Sequence, residues 1–195
     1  MKQEKQLSER ESLQLISRMI YEAKGYFHET GLAALVYGFS AVLLSLLAWT
    51  RARGLISMPF HPFYLMIPVF FFQSWVQLRE QKKKKAKTFT DEAIDYVWMA
   101  YFLSVFVSFA AVLAGYDQLV ISIILLLTGF AVFLTGMLST FRYHIVVGVV
   151  TWLIAFASFF VRNEHSYLLL AVTAVIVWII PGFILNSHFK KQQHG

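Results

Sequence analysis

Long uncharged runs alternate with short charged punctuation along this chain. Thr30–Thr50, Gly54–Leu78, Tyr96–Tyr116, Gln118–Phe141, Tyr143–Val161 and Ser166–Phe189 each lack Asp, Glu, Lys and Arg. A bilayer core takes roughly 20 apolar residues in a helix, and backbone inside lipid must satisfy its own hydrogen bonds. The pattern therefore predicts an all-α polytopic membrane protein with six transmembrane helices, at 32–52, 60–79, 93–115, 118–138, 142–162 and 166–188. The connections are short, so consecutive helices are expected as antiparallel neighbours, giving three hairpins.

Ahead of the first span, Ser8 and Glu11 have the spacing of a capping box, and Leu13, Ile16, Ile20, Ala23 and Phe27 recur at helical intervals. With Glu11, Gln14, Arg18 and Glu22 opposite, residues 1–30 read as a cytoplasmic segment carrying an amphipathic helix at the membrane interface. Residues 31–189 form the transmembrane domain and 190–195 a cytoplasmic tail.

Small residues fall on one stripe in three spans: Ala34, Gly38, Ala41, Ser45 and Ala48; Ser104, Ser108, Ala111 and Gly115; Gly148, Thr151, Ala155 and Ser158. Such stripes let helix backbones approach where lipid supplies no hydrophobic drive. They predict that spans one, three and five pack together, with bulkier even-numbered spans outside. Pro68 precedes Gln73 and Ser74 by the interval at which Pro181 precedes Asn186 and Ser187, so two matched kinks are expected.

Charge adds a direction. Of 17 basic residues, only Arg51, Arg53 and Arg162 fall on one side; the other fourteen, including Lys82, Lys83, Lys84, Lys85 and Lys87, fall on the other. The positive-inside rule then places both termini in the cytoplasm and the chain in the cytoplasmic (inner) membrane. The lysine run reads as a basic patch drawn to anionic lipid, so the net charge of +6 points to the bilayer and not to nucleic acid. With 58% hydrophobic and 14% charged residues, little polar chain remains for a catalytic domain outside the membrane. Cysteine is absent, which excludes disulfides, thiol catalysis and thiolate-held metals.

Chemistry is sparse. No ionisable group falls at mid-membrane, where a carboxylate would mark ion coupling. Asp95, Arg142, His144, Asn186 and His188 form a candidate polar cluster at the cytoplasmic rim, and Gln73, Ser74, Trp178, Asn186 and Ser187 a candidate solute lining. His61, Glu164, His165 and Asp117 gather on the other side, but no pair of histidines has a metal-ligand spacing. No catalytic residue, metal site or cofactor is expected.

The segment Glu11-Ser-Leu-Gln-Leu-Ile-Ser-Arg-Met-Ile20, the lysine loop leading into Thr88-Phe-Thr-Asp91 and Tyr96-Val-Trp98, and Ile179-Ile-Pro-Gly182 give the chain its distinctive order. In these it resembles an uncharacterised family of six-span bacterial integral membrane proteins. The resemblance implies fold and location and carries no functional residue. The expected function is a non-enzymatic interaction or regulatory module, working as a homo-oligomer or with a membrane partner. The alternatives are a channel or transporter for a small neutral or amphipathic solute, and a membrane-interface enzyme using Asp95, His144 and His188.

Overall fold

The computed structural model describes residues 31–81, 89–113, 116–139 and 141–193. The predicted amphipathic helix and the Lys82–Lys87 patch lie outside the described residues. Within them every regular element is helical: α1 (Leu32–Ala52), a 3-10 turn (Pro62–Leu65), α2 (Met66–Gln81), α3 (Phe89–Leu113), α4 (Asp117–Ser139), α5 (Arg142–Ser158), α6 (Asn163–Ala174), a π turn (Val175–Ile179) and α7 (Ile180–Gln193). Helices α6 and α7 continue one another through the π turn. Among the described residues, three helices are long and apolar enough to cross a membrane: Leu32–Ala52, Leu119–Ser139 and Glu164–Ser187.

Local sequence explains how α1 starts and stops. Gly31 enters it with φ 69°, and the backbone there lies so close to α7 that an added Cβ would overlap the Gly182 carbonyl. At the other end Gly54 has φ 71°, with its N–H on the Arg51 carbonyl and the Leu55 N–H on Thr50. That pair of bonds is a Schellman cap, which uses glycine to reach the left-handed region and satisfies the last carbonyls.

The small-residue stripes are buried, yet they meet partners other than those expected. Gly38, Ala41, Ser45 and Ala48 of α1 and Gly148, Thr151, Ala155 and Ser158 of α5 all face inward. The most extensive interfaces, however, are α4 with α5, α1 with α6, and α3 with α4. Helix α4 is the central one: 56% of its apolar window is buried, against 33% for α1 and 39% for α6–α7. The physical reason is a second set of small residues in α4 itself. Ser122, Gly129 and Gly136 share its inner face, and an added Cβ at Gly129 would overlap Trp152, at Gly136 the Ile145 backbone. From the other side, Gly148 of α5 admits Phe133 of α4. In α3, by contrast, Ser104 and Ser108 turn their hydroxyls onto carbonyls one turn back, and Tyr101 is the residue that reaches the core.

The two prolines also part company. Pro68 falls in the first turn of α2, where an α-helix lacks intrahelical partners for its N–H groups, and so it starts a helix. Pro181 is interior and fully buried, and the turn before it widens to π. There the Ile180 N–H reaches back to the Val175 carbonyl, five residues away. The Ile176 carbonyl is thereby left to residue 181, which has no N–H; the Tyr143 hydroxyl donates to it at 2.8 Å.

Around that turn the interior is filled with rings. Trp178 packs against Tyr37 and Trp98 with centroids 4.6 and 4.8 Å apart, and Phe102 closes on Tyr37 and Tyr101. Polar atoms in this core are tied to one another. Tyr37 contacts Tyr101, whose hydroxyl lies 3.1 Å from Thr128 Oγ1; that hydroxyl in turn donates to the Ile124 carbonyl. Ser158 Oγ lies 2.7 Å from Ser122 Oγ, pinning α5 to α4. Tyr101→Phe removes the middle of the relay that joins α1, α3 and α4. It is expected to lower stability by about 1 kcal/mol, the net worth of a buried hydrogen bond, in equilibrium unfolding of the purified protein in mixed micelles.

Candidate functional site

The polar groups predicted at the cytoplasmic rim occupy different surroundings. His144 is buried in the first turn of α5, with its ring edge-on to Phe141 at 4.9 Å, whereas Arg142 is exposed and Asp95 half-buried. Asn186 is half-buried, its backbone against the entry to α1. Among the suggested lining residues, Trp178 packs toward α1 and α3, and Ser187 donates to the Ile184 carbonyl of its own helix. The side chains of Gln73, Ser74 and His188 lie outside the described residues.

A concentrated polar site lies at the opposite end, where α1 finishes and α6 begins. It is an open cavity of about 640 Å³, lined in part by Arg51, Ile56, Ser57, Met58, Arg162 and Glu164, with Ala48 and Tyr167 beneath. The sequence dictates this meeting. The Schellman cap turns the chain sharply after Arg53, and Arg162, extended at φ −64° and ψ 147°, leads directly into α6. Because α1 and α6 pack side by side, Arg51, Arg53 and Arg162 arrive at the same end of the helices.

Glu164 occupies the first turn of α6, where a carboxylate is favoured by the helix dipole. Its side chain is 16% exposed and lies 3.9 Å from each of Arg53, Arg162 and His165. These are long contacts at the solvent edge, of a kind that contributes at most about 1 kcal/mol. Arg53 also lies over the Trp49 ring at 5.7 Å. Among the described residues, Arg51 makes no ion pair.

The floor is rigid. His61 Nδ1 accepts from the Phe63 N–H at 3.4 Å, so Nε2 carries the proton and donates to the Tyr167 hydroxyl at 3.1 Å. Phe63 stacks on Tyr167, and Tyr167 is buried against Ala48, Ile121, Leu125 and Ala155. Below, along the packed faces of α1 and α6, Ser45 Oγ, Trp49 Nε1, Ser166 Oγ and Thr173 Oγ1 are buried without a hydrogen-bond partner among the described residues. Each can donate, and buried donors without acceptors are uncommon in folded proteins.

The sequence reading grouped His61, Glu164 and His165 on this side without seeing the arginines as part of the same site. Arg51, Arg53 and Arg162 had counted only as the minority in a charge tally. The usable signal was their isolation: three guanidinium groups on short connections whose sole carboxylate is Glu164. Asp117 opens α4, and its side chain lies outside the described residues. Among the described residues no three His, Asp or Glu side chains converge as a metal ion requires.

Fold and site together define an all-helical protein with three candidate membrane-spanning helices and a donor-rich cavity at one helical end. Comparison with protein-family models, with curated proteins and with solved structures finds no match to this chain.

Proposed function

We propose that the chain is a six-span bacterial inner-membrane protein, built as three hairpins with both termini in the cytoplasm, and that it acts as a non-enzymatic interaction or regulatory module. The observation that carries the functional part is the filled interior around Trp178, where rings from α1, α3 and the π turn interlock and the polar atoms of Tyr101, Thr128 and Tyr143 are already engaged. Such a centre favours a static scaffold over a solute path. Its contacts with other molecules would then be made at the rims, through the N-terminal segment and the lysine loop on one side and the arginine cavity on the other.

Six spans are supported by the bulky apolar residues that every helix turns outward. Phe71 of α2, Phe106 and Val107 of α3, and Leu153 and Phe156 of α5 are each at least 66% exposed, and Leu43 of α1, Phe130 of α4 and Phe183 of α7 are each more than half exposed. In water, apolar surface so continuous would drive association; in lipid it is the expected exterior. Because the chain has no cysteine, single cysteines report topology directly. Ser57→Cys is expected to react with a membrane-impermeant maleimide in intact cells, and Lys84→Cys only after permeabilisation. Equal reactivity of both positions in intact cells would refute the six-span orientation. For the module itself, photo-crosslinkers at Gln14 and Lys84 should capture a second copy or a membrane partner in cells; a chain that stays uncrosslinked from both, and monomeric when purified, would leave the reading without support.

A further inference from the structure

We propose that the cavity between the end of α1 and the start of α6 binds the phosphate group of an anionic phospholipid, held by Arg51 and Arg162. The inference rests on the membrane-embedded reading above and goes beyond it by assigning a ligand to this rim.

Three independent observations converge on that chemistry. The first is the balance of donors and acceptors. Two guanidinium groups line the cavity, and its single lining carboxylate, Glu164, already faces two arginines and the His165 ring at 3.9 Å. Arg51 is half-buried and, among the described residues, has no ion pair. Arginine forks match phosphate oxygens in bidentate geometry, and a net positive cavity selects an anionic headgroup over a zwitterionic one.

The second is the set of buried donors on the same two helices. Trp49 Nε1 can only donate, and Ser166 Oγ is completely buried; among the described residues neither has an acceptor. Neither side chain lines the cavity, so a headgroup seated there would meet these donors only through bridging water.

The third is depth and flank. The cavity lies at the ends of two candidate membrane-spanning helices, the level of lipid headgroups. Its wall includes Ile56 and Met58, and on the same loop Leu55 is 67% and Phe60 40% exposed. A soluble anion has no use for an apolar wall, whereas a lipid places its glycerol and upper acyl carbons there. The volume of about 640 Å³ is in the range of small-ligand sites.

The test is native mass spectrometry of the full-length chain released from detergent in equimolar phosphatidylglycerol and phosphatidylcholine, comparing wild type with Arg51→Gln/Arg162→Gln. The preference of wild type for phosphatidylglycerol over phosphatidylcholine is expected to exceed that of the double variant about tenfold, since loss of one charged hydrogen-bond pair corresponds to about that factor. Lys82–Lys87 is unchanged in both proteins, so the difference reports the cavity alone. Equal preference in the two proteins overturns the proposal. Inorganic phosphate that raises the melting temperature as much as phosphatidylglycerol also overturns it, by reassigning the site to a free anion. Should the double variant not fold, Arg51→Lys keeps the charge but loses the fork; it is expected to weaken phosphatidylglycerol retention about threefold, and unchanged retention is the contrary result. Alkaline carbonate extraction separates the two readings. A wild-type chain that washes off fails as a membrane-embedded protein, whereas one that stays embedded yet retains both lipids equally fails only at this cavity.

Discussion

Gly148→Leu is expected to be the most damaging single substitution in the described helices, lowering stability by about 3 kcal/mol or more and abolishing the monodisperse folded species in detergent. Gly148 is one of the points where α5 and α4 approach closely enough to exclude a Cβ. A Cβ there would lie 2.7 Å from the Phe133 Cβ and 2.8 Å from the Phe133 Cα and N. Two of those three atoms are backbone, so no rotamer change in Phe133 relieves the overlap, and the helices must separate. Separation would also strain the Ser158–Ser122 hydrogen bond and the Trp152 indole bond to the Leu126 carbonyl, both of which bridge the same pair. Since α4 with α5 is the most extensive interface in the protein, the loss should be global. Equilibrium unfolding in mixed micelles, with size-exclusion chromatography of the same samples, measures it. Gly54→Ala is the comparison: φ is 71°, but nothing lies within 4 Å of the added Cβ, so only backbone strain of about 1 kcal/mol is expected. Similar losses from both substitutions would refute the close-packing account.

Tyr143→Phe is expected to cost about 1–3 kcal/mol, more than loss of an ordinary surface hydroxyl, because it leaves a buried carbonyl without a donor. The Ile176 carbonyl has lost both of its intrahelical options: the Ile180 N–H is taken by Val175, and residue 181 is proline. Tyr143, reaching across from α5, supplies the missing proton. Pro181→Ala restores an N–H at the position that a π turn would use. In the Tyr143→Phe background it should therefore recover part of the loss, giving a coupling of about 1 kcal/mol in a double-mutant cycle. Strict additivity of the two substitutions would show that the tyrosine and the proline are unrelated. The same unfolding measurement reads all three variants, and circular dichroism checks that helix content is kept.

These two sites mark the limits of what could be read from residues alone. The uncharged runs located the helices closely: α1 occupies 32–52 as expected, and α4 and α5 begin within one residue of their predicted starts. Burial of the α1 and α5 stripes was also legible, because only small residues allow close approach. Which helix fills a stripe was not. Gly129 and Gly136 lie among Leu, Ile and Phe in a run that reads as uniformly bulky, and only their register on one face of α4 makes them a groove for Trp152 and α5.

Proline told a similar story. Pro68 and Pro181 have matching sequence neighbours, yet one begins a helix and the other interrupts one. The difference depends on how many carbonyls precede each ring within its own helix, and on whether another helix brings a donor.

Of the site, the individual residues were visible and their convergence was not. His61, Arg51, Arg162 and Glu164 come from three separate stretches of chain, joined because α6 packs on α1 and the 3-10 turn folds back to Tyr167. Hydrophobic patterning along a chain specifies helix, length and the need for a lipid-like surroundings, since these follow from local hydrogen bonding and transfer free energy. Neighbours in space follow from shape: which groove admits which ring, and which carbonyl lacks a proton. By itself the sequence of this protein determined an all-helical, membrane-compatible chain with long uncharged helices. Only the tertiary structure decided that α4 is the centre, that Tyr143 completes the π turn, and that Arg51 and Arg162 share one cavity with Arg53 beside it at Glu164.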